Sequence, residues 1–326
     1  MLTDWVFMCF LIGNDFLPGI PCVDIKISSI ETLTNLLCKN YLKCNDFITT
    51  NQKMINFHIL EKYFISLSRI EDSLYISKTK MLNKSCEAGR EEIPLHTYHG
   101  KAKYYSTKLY ANNQDDIDNI AIEYITGMIW IYNYYINGRT DWQWVYPYHF
   151  APFVADLAKV VRANFSLKRG SPLHPFEQLL VVIPPQSQNL VVEKLRYIYN
   201  KFKIYYPTEV KSDSFDKYLT WTSVVLLPHM NSKAILNEYK KVINDLTAQE
   251  LLRNSKEMDL LIVNDENLIE KLKGLYFDFK PAVKLNLEGI NYSVFAHYNV
   301  KYPNEEVNSN FKSFKNKTIS VRFESF

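Results

Sequence analysis

The stretch DDIDNIAIEYITGMIWIYNYYING, residues 115–138, sets how the rest of the chain is read. Apolar side chains recur in it at three- and four-residue intervals: Ile117, Ile120, Ala121, Tyr124, Ile125, Met128, Trp130 to Tyr132 and Tyr135 share one face. That period belongs to a helix with one buried side. Asp115, Asp116 and Asp118 open it, where carboxylates suit the positive end of the helix dipole, and Asn137-Gly138 closes it as a C-cap. The three aspartates read as dipole complements rather than as a metal site.

The same period continues outward. Residues 29–43 follow Ser28-Ser29, carry Glu31 in the first turn, and place Ile30, Leu33, Leu36, Leu37 and Tyr41 on one face. Residues 58–75 read as one amphipathic stretch, and shorter helices are predicted at 152–163, 175–183, 189–202, 231–245 and 247–254. The polar, glycine-bearing region 77–100 reads as an exposed loop. After about residue 258 the pattern changes: Asp259 to Val263, Tyr276 to Leu287, Tyr292 to Val300 and Thr318 to Phe323 alternate or carry β-branched runs, as strands do. The predicted fold is mainly α, with a helical body over 1–260 and a small β-containing C-terminal tail over 261–326. No repeat at solenoid periods is present.

Composition narrows the possible functions. Of 326 residues 47% are hydrophobic and 22% charged, which builds a core and excludes disordered and collagen-like chains. None of the 9 glycines stands in the spacing of a dinucleotide or P-loop phosphate cradle. A formal charge of +3 neither requires nor opposes a polyanionic partner. Five cysteines, an odd number with no C-x-x-C pair, argue against a disulfide framework or zinc knuckle and for a reducing compartment, cytoplasmic first and nuclear as the alternative. The longest apolar run, Trp5 to Ile12, is far shorter than the roughly 20 residues of a bilayer span. No basic region precedes it as in a signal peptide, so the chain reads as soluble, with no membrane partner and no export. Because the chain opens almost directly in that run, a partner segment upstream is expected.

Two segments offer chemistry. Gly13-Asn14-Asp15-Phe16-Leu17-Pro18 ends the apolar run, and an aspartate directly after a buried helix is costly unless a cation such as a divalent metal meets it. Alternatively Asp15 caps the following turn; from spacing alone this plainer reading is preferred. The second segment is 124–150, where ten of 27 residues are aromatic against 14% chain-wide. Trp130 and Tyr132 read as core. Asp141-Trp142-Gln143-Trp144 falls in a loop where alternate residues face alternate sides, so that one tryptophan, Trp142 or Trp144, is free to stack on a base.

Basic residues lie near aromatics repeatedly. Lys101, Lys103 and Lys108 flank Tyr104-Tyr105; Arg162, Lys168 and Arg169 flank Phe165; Lys194, Arg196, Lys201 and Lys203 surround Tyr197, Tyr199 and Phe202. A single-stranded nucleic acid channel needs such interleaving, since lysine tracks phosphate while rings stack bases. An amphipathic helix with a solvated basic face looks the same, and composition does not separate the two. His149, between Pro147 and Pro152, reads as a hydrogen-bonded residue at a rigid corner, and no serine, thiol or zinc-protease motif accompanies it. The acidic pairs Glu91-Glu92, Asp213/Asp216 and Glu305-Glu306 read as solvated surface.

Taken in order, these segments resemble the Xrn-type 5′→3′ exoribonuclease family. Trp5 to Pro18 with Ile20-Pro21 is similar to the family's apolar helix ending in G-N-D-F-L-P. Tyr124 to Trp130, Tyr134-Tyr135, Gly138, Trp142, Trp144 and Tyr146 to Pro152 resemble its second block, as do Pro175 to Leu180 and Pro184-Pro185. Weaker echoes lie at Tyr206-Pro207, Trp221, Leu227-Pro228, Leu246-Thr247 and Arg253-Asn254. The resemblance covers about residues 1–260, and the last sixty or so have no assigned counterpart.

The resemblance implies hydrolysis of 5′-monophosphorylated RNA by two divalent ions, Mg2+ or Mn2+, held in a cluster of carboxylates. It assigns Asp15 as one catalytic metal ligand, which reverses the preference for capping. It assigns Trp142 or Trp144 as the base platform, with His149 in the supporting wall; the interleaving of basic and aromatic residues adds Lys101, Lys103 and Arg162 as RNA-binding candidates. The family's other carboxylates and its 5′-phosphate pocket lie in an N-terminal block ahead of Met1. This chain is therefore expected to be inactive alone and to work with single-stranded RNA and a separately encoded N-terminal nuclease segment. The alternative is a non-catalytic RNA-binding or scaffold protein derived from the same fold. Two departures stand out: Gly19 where the family usually has histidine, expected to loosen the turn beside Asp15, and Lys211 to Tyr218 in place of an acidic Gly-Lys turn.

Overall fold

Asn113 begins the central helix by accepting a hydrogen bond from the Asp116 amide at 2.8 Å, so α6 runs Gln114–Tyr132. It then widens into a π-helical turn, Asn133–Asn137, and stops at Gly138, whose φ of 63° is the left-handed cap that glycine supplies without strain. The computed structural model describes residues 2–25, 29–50, 54–85, 93–138, 140–217, 222–255, 259–263 and 319–323, with side chains at 82–85 and in the last two segments left aside. These form two compact units, Met1–Thr247 and Ala248–Phe326.

In the first unit, α1 (Leu2–Cys9) and the 3-10 turn Phe10–Ile12 bury Phe7, Met8, Phe10 and Leu11, as the apolar opening run requires. Asp4 is buried with them, accepting from the amides of Ile48 and Thr49 at 2.9 and 2.8 Å and from the Thr49 hydroxyl. Helix α2 (Ser29–Cys44) packs on α1 and on α3 (Phe57–Ser68). The third helix directs Ile59, Leu60, Tyr63, Phe64 and Leu67 inward at helical spacing. Helix α7 (Val154–Val160) lies against both α3 and α6, and α5 (Tyr98–Lys108) turns Tyr104 and Tyr105 onto Phe153 and Asp156 at the start of α7. A second apolar cluster joins α8 (Pro175–Val182), α9 (Tyr197–Lys201) and α10 (Ser232–Val242) through Leu180, Leu195, Ile198, Ile235 and Tyr239. The two-residue strands β1 (Ser212–Asp213) and β2 (Val224–Val225) pair antiparallel.

In the second unit, α11 (Ala248–Arg253) precedes β3 (Asp259–Val263), which pairs antiparallel with β4 (Ile319–Phe323). The fold is mainly α with a small β element, as the sequence pattern predicts. Tyr276 to Leu287, Tyr292 to Val300, Cys86, Glu91-Glu92, Glu305-Glu306 and Trp221 lie outside the described residues. Cys9, Cys22, Cys38 and Cys44 are free thiols. No helix among the described residues is long and apolar enough to cross a membrane.

Several sequence expectations are corrected. Residues 58–75 are two helices, because the chain turns at Arg69-Ile70 before α4 (Glu71–Ser85) begins. Most of the described part of 77–100 is no loop: α4 runs through it to Ser85, Lys78 is buried, and Ile93 and Leu95 are core, with Tyr75 donating to the Ile93 carbonyl at 3.1 Å. Residues 189–202 break into the 3-10 turns Pro185–Leu190 and Glu193–Leu195 before α9. Asp213 and Asp216 are not solvated; they pair with Lys108, at 2.7 Å, and with Lys78.

Candidate nucleic-acid interface

The segment Gly13–Ile20 leaves the core and folds straight back. The Asn14 side-chain oxygen accepts from the amides of Phe16 and Leu17 at 2.9 and 3.0 Å, and the Asn14 amide donates to the Leu17 carbonyl at 3.0 Å. Asn14 therefore organises this turn, in the way asparagine closes a turn on amides two and three residues on. The capping reading of Asp15 is corrected: its side chain is exposed and makes no hydrogen bond or ion pair among the described residues. Gly19 does not loosen the turn. A Cβ there would stand 2.3 Å from the Ile12 carbonyl oxygen, and the Ile20 amide donates to Leu11 at 2.9 Å, so the loop is pinched shut where a side chain has no room.

Leu17 is buried against the middle of α6. A Cβ on Gly127 would lie 2.7 Å from Leu17 Cδ2 and 2.6 Å from Trp144 Cη2, so glycine lets the turn and the 141–144 loop meet over one helix position. The Tyr124 hydroxyl donates to the Pro18 carbonyl at 2.9 Å. Beside the buried leucine, the Phe16 ring lies 4.9 Å from Trp130 and 5.4 Å from Tyr134. Trp130 stacks on Tyr134 at 5.5 Å with planes 9° apart, and stands 5.8 Å from Trp144. The exposed Asp15 carboxylate is thus carried at the end of a continuous run of rings.

The two tryptophans left open by sequence occupy different environments. The Trp144 indole N–H donates to Glu123 Oε2 at 3.2 Å and its ring is wedged against Gly127 and Trp130. Trp142 is 60% exposed and its backbone amide donates to the Arg169 carbonyl at 3.1 Å. Asp141 builds this loop. One of its oxygens accepts from the amides of Gln143 and Trp144 at 2.7 and 3.1 Å, the other from Lys168 at 3.0 Å, and its carbonyl accepts from the Trp130 indole at 2.7 Å. Sequence reading gave no structural role to Asp141, Asn14, Glu123 or Tyr134. A polar side chain two residues ahead of the amides it binds is the signal that marks the first two; for Glu123 there is none, because its partner is twenty-one residues away.

His149 is held at its corner as predicted: its Nε2 donates to the Leu227 carbonyl at 2.7 Å, and its ring lies 4.5 Å from that of His229. Burial, with His149 beside it, lowers the His229 pKa. The basic candidates fare differently. Lys101 pairs with Asp72 at 2.7 Å and sits 5.1 Å over the Phe153 ring. The guanidinium of Arg162 is taken by Glu61 and by His58 Nδ1 at 3.0 Å. Lys103 is exposed on α5. Lys101 and Arg162 are therefore engaged with acids of this chain. The neighbouring rings Tyr104 and Tyr105 point inward, donating to the Ala151 carbonyl at 2.8 Å and to Asp156 at 2.6 Å.

Among the described residues no group of three or more His, Cys, Asp or Glu is arranged to hold a metal ion. Asp15 by itself does not make a two-metal centre, and among the described residues it stands in no such group.

A sequence model described as the Xrn1 helical domain matches residues 1–92 and 77–325, so the match continues past residue 260 into the C-terminal segment. The chain is 24% identical to a protein named 5′-3′ exoribonuclease 2 homolog from Drosophila melanogaster, over 82% of this chain and 37% of that protein. It is 25% identical to human 5′-3′ exoribonuclease 1, over 82% of this chain and 19% of the relative. Against 5′-3′ exoribonuclease 2 of Schizosaccharomyces pombe the identity is 30% over 58% of this chain and 20% of the relative. The chain thus spans well under half the length of these relatives. A family match over nearly all of the sequence makes this chain a member of the Xrn family through its helical domain.

Proposed function

We propose that this chain is the helical part of a 5′→3′ exoribonuclease acting on 5′-monophosphorylated single-stranded RNA. The observation that carries this reading is the exposed Asp15 carboxylate at the edge of the Phe16–Trp130–Tyr134 rings, in a chain whose relatives are named 5′-3′ exoribonucleases. Asp15 offers one ligand. Divalent ions, Mg2+ or Mn2+, activate water and stabilise the leaving oxygen when several carboxylates hold them. The remaining carboxylates and the 5′-phosphate pocket belong to an N-terminal nuclease block supplied with this chain. Trp142 is the base platform, Trp144 its packed support, and His149 fixes the corner behind them. Lys101, Lys103 and Arg162 are the candidates for contact with RNA. Residues 1–260 form the nuclease segment, 261–326 a separate tail, and the assembly works in the cytoplasm.

The test combines this chain with an N-terminal nuclease block of the family and Mg2+ on 5′-monophosphorylated RNA. Stepwise degradation is expected, and Asp15→Ala is expected to reduce it by at least two orders of magnitude. Degradation undiminished by Asp15→Ala overturns the ligand assignment. A second reading draws on the lone carboxylate: the chain binds single-stranded RNA without cleaving it. Binding that weakens steeply with salt and falls on Trp142→Ala, with no hydrolysis in any combination, selects that reading.

A further inference from the structure

Trp142 and Trp144 do not exhaust the aromatic surface. Where α6 ends, the backbone widens into the π-helical turn Asn133–Asn137, a rare geometry that recurs at functional sites. Tyr134 sits in this turn. One of its faces is covered by Trp130, in near-parallel stacking at 5.5 Å and 9°, and Phe16 and Tyr135 meet it edge to face at 5.4 and 5.2 Å. Despite these three neighbours it remains 48% exposed, with Tyr135 beside it at 55%. The ring is thus the outer member of a stacked pair with Trp130, which Asp141 holds through the indole N–H and against which Trp144, held by Glu123, leans with its plane tilted by 34°.

We infer that Tyr134 is a second base platform, adding a nucleobase of single-stranded RNA to the stacked Trp130–Tyr134 pair, beside the Phe16 ring that follows Asp15 in the chain. This rests on the RNA-binding reading above and goes beyond it by naming a contact residue outside the tryptophan pair. The chemistry selects the occupant. A half-exposed ring already stacked flat offers the same planar geometry to one more ring, and base stacking tolerates every base because each has a π-face. A purely apolar protein surface laid on Tyr134 would extend over Phe16, 5.4 Å away, towards the exposed Asp15 that precedes it in the chain, and a carboxylate is costly to strip of water. A nucleic acid strand is hydrated along its backbone and leaves that carboxylate in contact with water or cations.

The test uses the whole 326-residue chain, in EDTA so that binding is read without cleavage, with 5′-phosphorylated single-stranded RNA carrying 2-aminopurine at successive positions. Tyr134→Leu is expected to weaken binding between about 5- and 150-fold and to abolish quenching at one position, and Tyr134→Phe to keep both near the parent value. Thermal melting of each variant separates lost stacking from lost fold, since Tyr134→Phe retains the ring and its packing. Parent-like affinity and quenching in Tyr134→Leu overturn the inference. A loss that Tyr134→Phe does not restore also overturns it, because it points to the hydroxyl. If Trp142→Ala weakens binding while Tyr134→Leu does not, this inference alone fails; if the chain binds no RNA, the RNA-binding reading fails with it.

Discussion

Lys78 and Asp216, 138 residues apart in sequence, meet as a buried ion pair that ties α4 to the β1–β2 segment. The Lys78 ammonium also donates to the carbonyls of Pro21 and Val23, at 3.0 and 3.4 Å, so it holds the chain that leaves the Asp15 turn. One Asp216 oxygen receives Lys78, while the other is buried without a hydrogen-bond partner among the described residues. Lys108 repeats the arrangement with Asp213 and covers the Phe215 ring at 4.9 Å.

Removing one member of a buried pair leaves a charge without compensation. Lys78→Met and Asp216→Leu are each expected to lower stability by about 3–5 kcal/mol, while the double substitution costs less than either alone. Chemical denaturation of the three variants measures this. Additive losses in the double variant show that the two side chains are not coupled.

Glu71 caps α7 from a distance, its carboxyl accepting from the amides of Val154 and Ala155 at 2.7 and 3.3 Å. Burial dominates those bonds and nearby Lys101, and with Asp156 adding to it pushes the Glu71 pKa up to about 7 from an ordinary 4.5. A group whose folded pKa stands above its unfolded value takes up a proton on folding. Its contribution is complete below pH 4.5 and is lost as the pH rises through about 7. The stability advantage of the parent over Glu71→Gln should therefore shrink between pH 4.5 and 7.5, read from denaturation midpoints. An advantage that grows with pH shows an ionised Glu71 in the folded chain.

The tryptophan pair gives a contrast. Trp142→Ala removes an exposed ring and is expected to leave the melting temperature within about 2 °C of the parent while weakening single-stranded RNA binding. Trp144→Ala opens space beside Gly127 and Trp130 and is expected to cost roughly 3 kcal/mol or more. Calorimetry alongside RNA titration separates the two; equal melting temperatures for both variants contradict the packed role of Trp144.

Much of this was legible in the sequence. Helical spacing over 115–138, the capping asparagine and glycine at its ends, and the apolar run 5–12 describe local preferences, and local preferences depend on a residue's near neighbours. The resemblance of two blocks to one family was legible for the same reason, since motifs are local strings. The partners of the basic candidates were not. A lysine beside a tyrosine in sequence has the same signature whether it faces a phosphate or an acid from another helix, and for Lys101 and Arg162 the acids are Asp72 and Glu61.

The sequence by itself determined the helical character, the strand signal after residue 258, the aromatic concentration at 124–150 and the family. Tertiary structure alone decided that Asn14 rather than Asp15 closes the turn, that Trp144 is packed and Trp142 open, and that Asp213 and Asp216 are buried partners rather than surface charges. The physical reason is the same in each case. Exposure and pairing are properties of what folds against a side chain from far along the chain, and only packing brings Gly127 under Leu17 and Trp144, or Lys78 to Asp216.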